Sequence, residues 1–422
     1  SRITALLVAP GTIDYVTFAQ GSHARSLEMH VPDDHEPRIA YRELFRTLRP
    51  STHGVPLMAL GRITDPAEAD ALIAGGEAEF VQLGRALVTD PAWPMKARQG
   101  RARDIRYCVS CNNCWYMGAA FGQSLSCDNN PRVAMVNEVD YRPPPAQVKK
   151  HVVVVGAGVA GMEAAWIACT RGHRVTVFSA SGEVGGKARL RARLPGGEAI
   201  SSVYDYQHTE ALRAGVQFKL GNTVTADTIL GQRPDSVILA TGASMIPPRW
   251  LPSHALDIVS DLRAAMQTLG QFTKRQQGTA VIYDMDFSEG VYACAEKLHA
   301  LFGRVVIMTP NETIAGDTAI VTRQGIHRRL SVKGIEVLTL HEPCWSDDVE
   351  EGRLSAVQVY TGAVTVLHHV AFLAYATPRA PNLSLLAPLR AAGIELHWVG
   401  DCVSPRSVMA ATAEGHDAGH AV

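Results

Sequence analysis

The chain has 422 residues, with 40 lysines and arginines against 41 aspartates and glutamates, and a formal net charge of −1. That length accommodates two to three domains, and the balanced charge argues against nucleic acid as a main partner. The most apolar stretch, residues 152–170, is interrupted by Glu163 and rich in glycine, so it reads as strand, turn and helix and not as a membrane span. No secretory leader opens the sequence, and the expected location is the cytoplasm.

Residues 1–106 alternate strand and helix signals. Residues 14–19 form a short β-branched and aromatic run, 38–48 carry helical spacing, and 55–60 read as a second strand closed by Gly61. Pro66 to Ala74 reads as a helix with Asp65 at the N-cap and proline at its first position. Residues 80–83 read as a third strand, closed by Gly84 and Arg85. Repeated βα units with glycines after the strands suit a β/α barrel, whose active site lies at that face.

Cys108, Cys111 and Cys114 follow in C-V-S-C-N-N-C, and Cys127 comes after twelve intervening residues. Three thiolates two residues apart, completed by a distant fourth, suit Cys₄ ligation of a [4Fe–4S] cluster. A zinc site, the alternative, favours two separated C-x-x-C pairs. Cys169, Cys294, Cys344 and Cys402 are scattered and read as buried thiols in a reducing compartment.

Residues 141–150, Y-R-P-P-P-A-Q-V-K-K, read as a linker. An apolar strand at 152–155 then runs into G-A-G-V-A-G, with Gly156, Gly158 and Gly161, a helix over 162–171 and a strand over 174–178. This is a dinucleotide fingerprint in its required βαβ setting. The first glycine makes the turn, the second lets backbone approach a pyrophosphate, and the third lets helix pack on strand. The second strand ends in Ser179, a neutral partner for a ribose where a carboxylate is usual.

A second βαβ unit is expected at 280–283, 291–301 and 304–308. Its turn, D-M-D-F-S-E-G, lacks the glycine triplet and puts Asp284, Asp286 and Glu289 where a pyrophosphate would sit. Like charges repel there, so the unit reads as a dinucleotide-type domain that has lost its ligand. A cofactor held in an unusual pose is the alternative.

With these motifs the chain resembles the trimethylamine dehydrogenase family and the related 2,4-dienoyl-CoA reductases, which are old yellow enzyme-like flavoproteins with an iron–sulfur extension. The resemblance rests on L-M-A-L-G-R-I-T-D-P (57–66), V-Q-L-G-R-A-L-V-T-D-P (81–91), the cysteine loop, E-V-G-G-K (183–187), A-T-G (240–242) and V-G-D (399–401). It implies an α/β chain in four parts. Residues 1–106 are the C-terminal part of a (β/α)₈ barrel and 107–140 a [4Fe–4S] segment. Residues 151–265 with 370–422 form an FAD- or ADP-binding domain, and 266–369 a degenerate NAD(P)-type domain.

By the same resemblance Gly61, Arg62, Gly84 and Arg85 hold an FMN phosphate, while Gly185, Gly186, Thr241, Gly242, Gly400 and Asp401 join the fingerprint glycines and Ser179 around FAD or ADP. The implied activity is oxidation of an amine or N-methylated compound, with electrons passing through the cluster to electron-transfer flavoprotein or a similar carrier. An NAD(P)H-dependent enoate or 2,4-dienoyl-CoA reductase is the alternative. The family's aromatic cage position four residues after the third cysteine is Gly118 here, with Trp115 and Tyr116 earlier. No catalytic acid or base is assigned. His23, His30, Asp33 and Asp34 lie in a loop at the catalytic face and read chiefly as solvated. About three βα units precede the cysteines, whereas a closed barrel needs eight. The expectation is therefore that a further chain, or a missing segment, supplies the remaining wall, and that this chain alone does not turn over substrate; a non-catalytic electron-transfer subunit is a further alternative.

Overall fold

The computed structural model describes residues 1–23, 25–269 and 274–422. In the first part, Met58–Ala59 and Phe80–Val81 pair in parallel, and Val16 bridges Leu57 in parallel. The helix Pro66–Ala74 forms as expected. Asp65 Oδ1 accepts from the Ala67 amide at 2.8 Å, and Glu68 Oε2 reaches back to the Asp65 amide at 3.2 Å, closing a capping box. The stretch 14–19 contributes only the bridge at Val16, and the helix expected from residue 38 begins at Arg42, because Ile39 takes a left-handed φ of 55°.

The next unit is a five-stranded parallel sheet in the order Glu395–Trp398, Ser236–Leu239, His151–Val155, Arg174–Ser179, Gln217–Leu220. His151–Val155 is buried on both faces, which is why it reads as an unbroken apolar run. The helix Val159–Thr170 is enclosed between this sheet and the helices Ser201–Ala214 and Val408–Ala421. Covered on all sides, it has no polar face except the buried Glu163.

A second five-stranded parallel sheet runs Glu336–Leu338, Phe302–Met308, Gln276–Asp284, Val370–Ala376, Ser260–Asp261. A three-stranded antiparallel sheet, His341–Cys344, Leu354–Gln358 and Val364–Leu367, packs beside it. Two expected boundaries shift. Val370–Ala376 pairs with Gln276–Asp284 and so belongs to the second unit, and Ser260–Asp261 lies on that sheet's edge. The chain crosses between the units through Ala243–Met245 and returns through Arg379–Pro381, which pair antiparallel. Cys344 is exposed and Cys169 half-buried, against the expectation that both are buried, while Cys294 and Cys402 are buried. Among the described residues no helix is long and apolar enough to cross a membrane.

Candidate functional site

A cleft of about 1060 Å³ opens at the carboxyl ends of the first sheet and runs on between the two parallel units. Its wall contains Gly156, Gly158, Ser179, Gly185, Gly186, Thr241, Gly242, Gly400 and Asp401. The volume lies at the upper end of the range for small-molecule sites. Gly156 takes φ 115°, and a Cβ there meets the Ala240 carbonyl oxygen at 2.2 Å. At Gly158 a Cβ meets nothing within 4 Å, so this is backbone bared toward open space at the start of a helix. Gly161 stays off the cleft; a Cβ there meets the Gly156 carbonyl oxygen at 2.0 Å, so it permits the helix to lie against the turn. The tight turn at Gly156, the bared backbone at Gly158 and the close helix packing at Gly161 thus follow their spacing.

The opposite wall is charged. Asp401 pairs with Lys187 and with Arg379, whose Nη1 is 3.1 Å from Asp401 Oδ2. Arg379 Nε reaches Asp286 Oδ1 at 3.4 Å, so a ladder Lys187–Asp401–Arg379–Asp286 spans the two units. Burial, then the Arg263 guanidinium, pushes the Lys187 ammonium down to about 8 against the pull of Asp401. Beyond the ladder the wall turns apolar at Met245, Leu262, Met266 and Val291.

The turn of the second unit closes on itself. Asp284 Oδ1 accepts from the Asp286 and Phe287 amides at 3.0 and 3.1 Å, and Oδ2 accepts from Tyr292 Oη at 2.8 Å. The amides that would greet a pyrophosphate are thereby taken. Burial, opposed by these hydrogen bonds, raises the Asp284 carboxyl to about 6.

The cysteine loop meets the same cleft, for Cys111, Asn113 and Asp128 are in its wall. Cys108, Cys114 and Cys127 are buried. The amides of Ser110 and Asn129 donate to Cys108 Sγ and Cys127 Sγ, each at 3.4 Å, and Ser110 and Asn112 take left-handed φ of 55° and 63° to turn the loop. Cys108 lies close enough to act electrostatically on Cys111, Cys114 and Cys127; burial first, then such neighbours, pushes the Cys114 and Cys127 thiols up to about 11 and about 12. Among the described residues no three His, Cys, Asp or Glu converge at the spacing of a single ion. Tetrahedral zinc, with Zn–S of about 2.3 Å, draws its sulfurs to about 3.8 Å from one another, while a four-iron cube holds them further apart. Three buried thiols and the half-buried Cys111, with amide donors to Cys108 and Cys127, suit the cube.

Gly61, Arg62, Gly84 and Arg85 lie outside the cleft wall. Arg62 is buried and tied to Asp34, to the Glu36 carbonyl and, through Nε, to Ser110 Oγ at 3.2 Å. Arg85 Nη1 donates to the Pro32 carbonyl at 2.8 Å and to Asn112 Oδ1. Both guanidiniums therefore clamp the cysteine loop to residues 32–36 in this arrangement. That loop is less solvated than its sequence implies. Asp33 is buried and Asp34 half-buried, and Asp34 Oδ2 also accepts from the Ala199 amide at 2.8 Å, whereas His23 and His30 are exposed. Trp115 and Tyr116 pack half-buried against Leu27 and Val31.

Sequence reading missed Arg379 and a buried network around Glu163. The one available signal was Glu163 itself, a lone charge inside an apolar helix.

Residues 154–210 match the profile of an NAD(P)-binding Rossmann-like domain. An NADH oxidase of Thermoanaerobacter brockii is 41% identical over 199 residues, 46% of this chain and 30% of that protein. A probable N-methylproline demethylase of Rhizobium meliloti is 31% identical over 321 residues, 74% of this chain and 45% of that protein. The solved histamine dehydrogenase from Rhizobium sp. 4-9 superposes with a TM-score of 0.84 at 24% identity, covering 96% of this chain and 60% of that one, a likeness of fold. The chain thus spans from under a third to about three-fifths of the length of the proteins it matches. Its homologues and structural neighbours are oxidoreductases of the trimethylamine dehydrogenase, 2,4-dienoyl-CoA reductase and old yellow enzyme-like group, the iron–sulfur flavoprotein family that the sequence resembles.

Proposed function

We propose that this chain is the cluster- and nucleotide-bearing part of an iron–sulfur flavoprotein dehydrogenase acting on an amine or N-methylated compound. Cys108, Cys111, Cys114 and Cys127 hold a [4Fe–4S] cluster, and the cleft holds FAD or ADP on Gly156, Gly158, Gly185, Gly186 and Asp401. The observation that carries this reading is that the cysteine loop and the glycine-rich turn share one cleft, with Cys111 in its wall. A flavin exchanges electron pairs with substrate, and a cluster relays them singly. The protein's own part is to bury the thiols, supply amide donors to Cys108 and Cys127, and present bare backbone at Gly158.

The self-capped turn at Asp284 supports an external carrier such as electron-transfer flavoprotein over direct exchange with NAD(P)H. The FMN phosphate grip at Gly61, Arg62, Gly84 and Arg85 rests on sequence resemblance, and a phosphate arriving there must displace Asp34 from Arg62. The second reading, an NAD(P)H-dependent reductase of enoyl compounds, is favoured by the 41% identity to an NADH oxidase.

Anaerobic titration of the flavin- and iron-loaded protein, combined with the polypeptide that supplies the rest of the barrel wall, separates the two. Bleaching by a secondary or tertiary methylamine, with none by NADH or NADPH, is the expected result. Bleaching by a reduced nicotinamide alone would establish the reductase instead.

A further inference from the structure

The helix Val408–Ala421 serves two cavities. Val408 and Ala411 stand in the nucleotide cleft, whereas His416, Asp417 and His420 wall a separate cavity of about 420 Å³ with Arg132 and Tyr141. Among the described residues none lines both.

His416 is only 3% exposed. Its Nδ1 lies 3.3 Å from Glu163 Oε1, and its Nε2 has no hydrogen-bond partner among the described residues. The Glu163 carboxylate can only accept, so Nδ1 carries the proton, and Nε2 is left free to bond a further group. Arg132 lies with its guanidinium 3.7 Å from the Tyr141 ring centre and gives Nη2 to the Val136 carbonyl at 2.8 Å, while its buried Nε has no partner among the described residues. Tyr141 Oη is 3.2 Å from His420 Nε2.

The field in this cavity is positive. Burial, then His416, Arg171 and Arg132, holds the His420 imidazole down at about 4. Arg171 also takes the Gly419 carbonyl at 3.2 Å and that of His420, which cancels the negative end of the helix. The acid in the wall, Asp417, is exposed, where water screens it. Two imidazoles one turn apart could instead hold a divalent metal, but among the described residues no third His, Cys, Asp or Glu joins them. A guanidinium also opposes a cation. We propose that this cavity is a binding site for a small oxyanion, a carboxylate or a phosphate, which accepts from Arg132 Nε and Tyr141 Oη and shares a proton with His416 Nε2.

Calorimetric titration of the cofactor-loaded protein with sodium phosphate, sodium acetate and zinc chloride tests this. Saturable millimolar binding of phosphate or acetate is expected, the tighter of the two naming the source. Arg132→Met should weaken it at least tenfold. Tyr141→Phe is the second variant should Arg132→Met fail to fold, and the same tenfold loss is expected. Absence of saturable anion binding, anion binding unmoved by these variants, or zinc binding strengthened by Arg132→Met overturns the proposal.

Discussion

Arg106 Nη2 donates to Glu163 Oε1 at 3.1 Å, and this buried pair fastens the cysteine loop to the first helix of the nucleotide unit. Arg106 stands two residues before Cys108, and its Nη1 donates to the carbonyl of Asn129, two residues after Cys127. Its guanidinium lies 4.3 Å from the Tyr206 ring centre. Glu163 also accepts from Gln207 Nε2 at 3.1 Å and from His416. Burial opposes its charge, yet Arg106 and His416 outweigh burial and hold the carboxyl at about 2.

Breaking this pair from one side leaves an uncompensated buried charge, which costs about 3–5 kcal/mol. Arg106→Met and Glu163→Gln should each lower the unfolding midpoint of the protein and release iron, since both ends of the loop hang on Arg106. Replacing both residues with apolar ones should cost less than either single change. Single variants with unaltered unfolding and full iron content would contradict the fastening role.

The fingerprint glycines separate binding from folding. Gly158→Val places its side chain in open space with φ −78°, an angle any residue adopts, so stability should move by no more than about 0.5 kcal/mol. Nucleotide content should fall to a small fraction. Gly161→Ala forces a Cβ against the Gly156 carbonyl, and overpacking there should destabilise by roughly 1–3 kcal/mol or more. Nucleotide content and thermal unfolding, measured on both variants, check the split; equal losses of nucleotide and stability in both would refute it.

The ladder across the cleft predicts an electrostatic effect on the ligand. Arg379→Leu leaves Asp286 and Asp401 facing the cleft without their shared cation. The bound nucleotide, itself anionic, should then bind about tenfold more weakly, with a steeper salt dependence. Affinity unchanged at low ionic strength would show that the ladder does not sense the ligand.

Asp284 predicts a pH dependence. Its carboxyl is raised in the fold from an ordinary 3.8 to about 6, so between those values the folded state binds more protons than the unfolded one. Stability attributable to this group therefore falls as pH rises through that window. From pH 5 to pH 7 the loss should be about 1 kcal/mol. In Asp284→Asn, whose amide oxygen keeps the Asp286 and Phe287 donors, that slope should vanish. Denaturant unfolding at the two pH values in both proteins reads it directly, and parallel slopes would reject the assignment.

The local signals survived into structure because each is fixed by neighbours in sequence. Asp65, Pro66 and Glu68 build their helix start within four residues, and the glycine turn is set by backbone geometry at 156–161. What was illegible depends on distant partners. Val370–Ala376 joins a strand some ninety residues earlier, so no local pattern marks the unit's boundary. Arg62 and Asp34 meet only through folding of the intervening loop, and the acids read as repelling a pyrophosphate are largely spent on a turn and on Arg379. Glu163 was visible as an anomaly, but its partners Arg106 and His416 come from segments 57 residues before it and 253 after.

The central claim is a cluster loop and a dinucleotide sharing one cleft. Elemental and nucleotide analysis of the reconstituted protein, with Cys111→Ser alongside, tests it most directly. The account predicts about four irons, about four acid-labile sulfides and one adenine nucleotide per chain, with iron lost in Cys111→Ser. One zinc per chain without iron, or iron that Cys111→Ser leaves in place, would contradict it.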